Sequence, residues 1–187
     1  MATATWLTDH FLIAMPALQD PNFARSVTYI CQHDHDGAMG IVINRTADLT
    51  LGEVLRQLKL PAEDPDVGDA RVYIGGPVQP ERGFVLHDPG QEFDSTLNVT
   101  PRLAITTSRD VLAAIAAGTG PRRAMLALGC AGWSAGQLES EMRDNAWLTV
   151  PADESLIFDT PPADRWEAAA RLVGIDPSRL HDYAGHA

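Results

Sequence analysis

Three stretches of this sequence place reactive side chains at spacings that known chemistry uses. The first is Gly132-Trp133-Ser134-Ala135-Gly136, a G-x-S-x-G pattern. In α/β-hydrolases this pattern sets a serine on a strained strand-to-helix turn with its hydroxyl open to a substrate. Asp153, Asp159, His181 and His186 follow in the order serine, acid, histidine. Two features argue against a hydrolase. Only 53 residues follow Ser134 in the 187-residue chain (187 − 134), little for the rest of such a sheet, and no His-Gly-Gly-Gly loop precedes it. Ser134 also stands three residues before Gln137, the spacing of a helix capping box, which explains the serine without catalysis.

The second stretch is Cys31, His33 and His35, whose alternation puts all three on one face of an extended strand. Thiolate and imidazole suit a zinc ion, but structural zinc sites bring paired ligand sets. The plainer reading is a polar hairpin tip above a half-buried cysteine. The third is a pair of segments before helices, Gly129-Cys130-Ala131-Gly132 and Thr107-Ser108-Arg109-Asp110. Backbone N–H groups at a helix start could bind an anion. Neither segment is a phosphate-binding G-x-x-x-x-G-K-S/T loop or a G-x-G-x-x-G turn. Close packing of turn on helix is the competing account of the glycines. Trp133 and Trp147 read as core or site wall, and Asp144, Glu139 and Glu141 as a solvated helix face.

The elements that must hold these residues follow from periodicity and punctuation. Phe11–Met15, Ser26–Cys31 and Ala38–Asn44 are strand-like, with Asp36-Gly37 marking a hairpin between the last two. Thr50 and Glu53 form a capping box ahead of Leu51, Val54, Leu55 and Leu58, so a helix runs to Pro61. Strands are expected at 72–74, 83–87, 103–106, 123–128 and 147–150. Helices are expected at about 108–117, with Thr107 and Asp110 as its box, at 135–143 and at 163–173, with a last short turn at Asp176-Pro177. The strand-to-helix units at 103–117 and 123–143 suggest partly parallel pairing. Together these give one compact domain over 1–187, of mixed α+β or α/β class, with a mixed β-sheet packed by helices. Two polar loops flank residues 71–88, so a small subdomain could form around 71–100.

Several motifs now converge. Phe11-Leu12-Ile13-Ala14-Met15-Pro16, Gly37-Ala38-Met39-Gly40, Gly75-Gly76-Pro77, Arg82-Gly83-Phe84 and Thr106-Thr107-Ser108-Arg109-Asp110 come in order along the chain. Gly136-Gln137-Leu138-Glu139, Asn145-Ala146-Trp147-Leu148-Thr149 and the tail Ala184-Gly185-His186-Ala187 complete the series. The sequence resembles the AlgH/YqgE family in these motifs over nearly its whole length. The resemblance implies a bacterial protein of compact mixed fold, in a family largely without an assigned biochemical activity, some of whose members are labelled transcriptional regulators. It supplies no catalytic residue set. Cys130, where the family often has Tyr, Ser134 and His35 depart from its usual pattern.

Composition limits the function. Lys and Arg number 14 against 25 Asp and Glu, a net charge of −11, so there is no basic face for gripping phosphates and direct nucleic-acid binding is not expected. No apolar run approaches the ~20 residues of a membrane span, so no membrane partner is expected. Residues 1–10 carry no Lys or Arg ahead of the first apolar run, which reads as a cytoplasmic protein. With only Cys31 and Cys130 there is no disulfide framework; a single Cys31–Cys130 bridge is the less favoured alternative. No cofactor or metal is expected. The site is expected where strand ends meet helix starts, with Gly75, Gly76, Arg82, His87, Ser108, Arg109, Gly132 and Gln137 as ligand-binding candidates. The leading reading is a binding or regulatory module for a small anionic ligand or a protein partner. The alternative is an enzyme acting on a phosphorylated or nucleotide-like substrate.

Overall fold

The structure, a computed structural model, describes residues 6–15, 20–21 and 23–176. Among these, ten strands form one curled sheet. They are β1 (His10–Ala14), β2 (Val27–Asp34), β3 (Gly37–Val42), β4 (Thr46–Thr50), β5 (Arg71–Ile74), β6 (Val78–His87), β7 (Thr96–Thr100), β8 (Leu103–Thr106), β9 (Ala124–Ser134) and β10 (Trp147–Pro151). The helices are α1 (Leu51–Gln57), α2 (Pro65–Gly68), α3 (Arg109–Ala116), α4 (Gln137–Arg143), α5 (Glu154–Phe158) and α6 (Arg165–Leu172), with a 3-10 turn at Pro162–Asp164. The strand order is β10-β1-β2-β3-β9-β6-β8-β7, with β5 also on β9 and β4 on β5. The expected mixed sheet with packed helices is present.

The parallel pairing lies elsewhere than expected. β8 and β9 run the same way, but β6 lies between them, antiparallel to both. Among the described residues the one parallel pair is β5 with β9, at Tyr73↔Ala127 and Ile74↔Leu128. Residues 71–100 contribute β5, β6 and β7 to this same sheet.

β9 organises the molecule because its apolar run alternates between two faces. Met125 and Ala127 join the inner core with Phe11, Tyr29, Leu86 and Trp166 of α6. Leu126 packs outward with Leu55 of α1, Val85 of β6 and Leu112 of α3, with the half-buried Leu128 beside them. Further along, Ala131 and Trp133 pack outward with Leu12, Ile30, Leu138 of α4 and Trp147. Sheet periodicity of two separates inner from outer residues over 125–128; at Gly129, with φ +78, the alternation slips by one residue, so Cys130 faces the inner core and Ala131 and Trp133 the outer one. Among the described residues no helix is long and apolar enough to cross a membrane.

Three local expectations are corrected. The Gly129–Gly132 segment is not a turn: β9 continues through it to Ser134, because Gly37, Ala38, Met39 and Gly40 of β3 pair with Ser134, Trp133, Gly132 and Ala131. Helix α4 therefore starts at Gln137, two residues later than its box predicts, with Gly136 at φ +77 as N-cap. Helix α3 has Ser108, not Thr107, at its N-cap position, without a cap bond from the serine side chain, and the Thr107 N–H that a box would offer to Asp110 goes to the Ser95 carbonyl at 3.1 Å. Thr50 caps α1 as expected, its Oγ1 accepting the Glu53 N–H at 3.3 Å. The loop after His87 contains β7, which the sequence reading left out. Asn22, Pro177, His181 and His186 lie outside the described residues.

Candidate functional site

The outer core beneath α1 and α3 is not filled. A cavity of about 510 Å³ opens there, with Val85 of β6 and Leu126 and Leu128 of β9 as its floor. Val54 and Leu58 of α1 and Leu112 of α3 form its aliphatic walls. Its mouth carries polar side chains, Glu81 beside Pro80 of β6 and Thr107, Ser108 and Arg109 at the start of α3. A largely apolar cavity of several hundred Å³ with a few convergent polar groups is the usual form of a small-molecule site.

The mouth is built by an irregularity in β6. Val78 pairs with Cys130 and Gly83 with Leu128, so residues 79–82 of β6 bulge out of the ladder. Gln79 takes φ +48 to make that turn, a conformation seldom adopted by a residue with a side chain. Arg82 clasps the bulge, donating from Nη1 to Gln79 Oε1 and from Nη2 to Thr107 Oγ1, both at 3.2 Å. Arg109 donates to the carbonyl of Leu58, the C-cap of α1, and so ties the two helices across the cavity.

The eight sequence candidates divide. Ser108 and Arg109 line the cavity, and Arg82 reaches its rim through Thr107. His87 is fully buried and bound on both ring nitrogens. Its Nδ1 faces the Asp88 carbonyl at 2.7 Å, which can only accept, so Nδ1 carries the proton. Nε2 then accepts from the Thr106 hydroxyl at 2.7 Å. Thr96 donates to Thr106 at 2.8 Å and accepts from the Phe93 N–H at 2.8 Å, completing a directed chain. Thr106 has the hydrogen bond of a base-activated nucleophile but is itself fully buried, so the chain's work is to join β6, β7 and β8.

Gly75 and Gly76 serve backbone packing. A Cβ on Gly75 would lie 2.3 Å from the Gly129 carbonyl oxygen, and one on Gly76 2.3 Å from the Cys130 carbonyl. Gly132 and Gln137 stand at the far end of β9, away from the cavity. Gln137 Oε1 accepts from both the N–H and the hydroxyl of Ser134, at 2.9 and 3.2 Å. The serine's hydroxyl thus secures the strand-to-helix corner, and its hydrogen-bond partner is an amide, not a histidine.

The N-termini of the two anion-site segments are also accounted for. The glycine segment is strand, as above. At α3 the Asp110 carboxylate takes the Ser108 hydroxyl at 2.5 Å, the Asp94 N–H at 2.7 Å and the Val111 N–H at 3.0 Å. Burial raises its pKa, but these bonds outweigh it and hold the carboxyl below the usual range. The helix supplies its own anion.

The remaining chemistry-bearing residues are structural. His33 Nδ1 accepts the Leu7 N–H at 2.9 Å, so Nε2 bears the proton it shares with Glu139. Both nitrogens being occupied, and His35 sitting exposed at the hairpin tip, the Cys31–His33–His35 alternation does not converge. Glu139 and Glu141 are not a solvated face: Glu141 Oε1 accepts both indole N–H groups, from Trp147 at 3.1 Å and Trp133 at 3.4 Å. Cys31 and Cys130 are free and buried. β3 lies between their strands, about 9–10 Å of sheet, beyond the ~7 Å a disulfide can span.

Sequence reasoning missed Leu49, Val54, Glu81, Val85, Leu112, Leu126 and Leu128 of the lining. All but Glu81 were legible only as core, since a cavity wall and a packed core ask for the same aliphatic side chains.

Comparison with known proteins gives a consistent picture. A family model described as AlgH-like matches residues 11–178. A UPF0301 protein of Methylococcus capsulatus is 55% identical over 183 residues, covering 98% of this chain and 97% of its own. One from Xanthomonas euvesicatoria shows the same identity and coverage. The solution structure of the AlgH protein from Pseudomonas aeruginosa superposes with a TM-score of 0.81 at 54% identity, covering 100% of this chain and 99% of that one. A crystal structure of a Corynebacterium diphtheriae protein shares the fold, with a TM-score of 0.72 at 24% identity over 98% and 94% of the two chains. With a family model spanning nearly all of its sheet and relatives matched end to end at more than half identity, the chain belongs to the AlgH-like family.

Proposed function

We propose that this protein is a cytoplasmic binding module for a small molecule with an aliphatic body, held in the cavity beneath α1 and α3. The observation that carries this reading is the cavity itself: about 510 Å³, with a leucine and valine floor and polar groups gathered at its mouth. A pocket with this lining exposes hydrocarbon to water, which an aliphatic ligand would cover. The aliphatic lining favours a hydrocarbon body over the phosphorylated or nucleotide-like substrate of the enzyme alternative. At −11 net charge, any regulatory output passes through the ligand or a protein partner, not through a grip on DNA.

The test uses 1-octanol as a neutral aliphatic probe. Occupancy at a hundred times Kd adds about 2.7 kcal/mol of stability, a rise in Tm of roughly 5–10 °C for a chain of this length. Leu112→Trp fills the cavity and abolishes that rise while the protein stays folded. No shift with octanol or any other aliphatic probe, or an equal shift in Leu112→Trp, defeats the reading. Consumption of a bound molecule would move it to the enzyme class.

A further inference from the structure

We propose that β7 is the docking edge for a second copy of this chain, paired antiparallel about a two-fold axis at Leu97. This inference is independent of the cavity and of what fills it. β7 is the end strand on its side of the sheet and, among the described residues, pairs with β8 alone. Ser95 gives its N–H to the Ser108 hydroxyl at 3.0 Å and its carbonyl accepts the Thr107 N–H at 3.1 Å, both on the β8 side. In an antiparallel strand successive residues turn these groups to opposite sides, so Thr96 and Asn98 present theirs at the free edge. The ladder with β8 is regular from Thr96 to Asn98 and shifts only beyond it. The bond between the Thr96 and Thr106 hydroxyls, at 2.8 Å, holds this edge in place.

The edge is self-complementary. Residues 95–101 carry no charge, whereas a sheet edge is commonly guarded by lysine or another charged side chain. Leu97 is 43% exposed, although its cross-strand partner Ile105 lies in the inner core. Setting Leu97 against Leu97 of the second copy covers both side chains. It also sets Thr96 opposite Asn98 of the other copy, so the outward N–H and carbonyl groups of both residues find partners. The flanks match as well: Glu92 and Asp94 precede β7 and Arg102 follows it, all three exposed. An antiparallel pairing brings the acidic end of one copy to the basic end of the other, and the two-fold does so twice. This local attraction works against the repulsion of two chains of −11 each, so the dimer is weak. The opposite end strand, β10, finishes at Pro151, which has no N–H to give.

Leu97→Cys in the full chain tests the axis. Residues opposed in a non-hydrogen-bonded antiparallel pair have Cα atoms ~4.5 Å apart, within reach of a disulfide, and the two native cysteines are buried. Under mild oxidation Leu97→Cys should crosslink into a dimer at least about tenfold faster than Leu172→Cys, whose position on α6 is equally exposed at 43%. In sedimentation velocity up to millimolar protein the native chain should show a concentration-dependent dimer. Leu97→Lys, which sets like charges on the axis, should weaken it about tenfold. The double variant Glu92→Arg/Asp94→Arg and the single variant Arg102→Glu should each lose self-association, and their equimolar mixture should regain it, which also reports that both are folded. A native chain monomeric at millimolar concentration, equal crosslinking of the two cysteine variants, or a mixture that associates no better than its components overturns the proposal. Assemblies larger than a dimer overturn it too, since they mean that β7 meets a different face.

Discussion

Gly76→Ala separates two roles for a glycine that looks like part of a binding loop. If Gly75 and Gly76 cradle a ligand, adding a methyl group should harm binding and spare stability. The structure assigns the opposite outcome. Gly76 sits at φ +151, and a Cβ there would lie 2.3 Å from both the carbon and the oxygen of the Cys130 carbonyl and 2.6 Å from the Ala131 nitrogen. All three are backbone atoms of β9, which cannot rotate aside. Relief requires the β5–β6 connection to move off β9 by more than 1 Å, judged against ordinary contact near 3.5 Å. The cost combines a backbone conformation L-residues avoid, of order 1–3 kcal/mol, with overpacking of about 1–3 kcal/mol. We expect a loss of about 3–5 kcal/mol. Gly118→Ala is the matched control. It too has a positive φ, +78, but nothing lies within 4 Å of its Cβ position, so only the left-handed cost of about 1 kcal/mol applies. For a chain of this length 1 kcal/mol is roughly 2–4 °C in Tm. Scanning calorimetry should therefore place Gly76→Ala roughly 6–20 °C below the native protein and Gly118→Ala within a few degrees of it. If the two variants melt within about 2 °C of each other, the packing argument is wrong.

Three further outcomes are expected. The two buried histidines should hold opposite neutral tautomers, His33 protonated on Nε2 and His87 on Nδ1; nitrogen chemical shifts of the imidazoles settle this, and matching tautomers would refute the network. Stability should fall in alkali, because burial pushes the Cys31 thiol up, and burial with the neighbouring Asp9 pushes the Tyr29 hydroxyl up. With folded values above the unfolded ones, the stabilisation is complete below about pH 8.5 and declines beyond it, first through the thiol and from about pH 10 through the phenol, by up to about 1.4 kcal/mol per pH unit for each group. Urea denaturation at several pH values tests it, and Cys31→Ala should flatten the first part of the decline. Glu141→Ala removes the acceptor shared by Trp133 and Trp147 and should cost about 2 kcal/mol in urea denaturation, whereas Glu141→Gln, which keeps a carbonyl oxygen, should recover most of it.

Much of the fold was readable from local chemistry. Thr50 and Glu53 mark the start of α1 because a capping interaction involves residues three apart and nothing else. The apolar run after Arg123 becomes β9, whose consecutive residues Met125, Leu126 and Ala127 are buried on both faces. What failed was local reasoning applied where distant strands decide. Gly129–Gly132 carries the composition of a turn, yet β3 pairs with it and extends β9 to Ser134. Thr107 and Asp110 have the spacing of a box, yet Ser95 claims the Thr107 N–H and the cap moves to Ser108. Of the candidate site, Ser108, Arg109 and Arg82 were found because charge and hydroxyls before a helix are conspicuous. Val85, Leu112, Leu126 and Leu128 were not, because a leucine beside empty space is written the same way as one beside another leucine.

The sequence by itself determined the class of the protein, its net negative charge and the type and rough place of most of its strands and helices, since local pattern depends on neighbours within one or two turns of chain. Only the tertiary structure decided that Gly75 and Gly76 hold backbones together, that His87 is spent on internal hydrogen bonds, and that α1 and α3 leave a cavity over β6 and β9. Those outcomes depend on which strand lies beside which, and pairing between strands distant in the chain is set by global packing that no local spacing records.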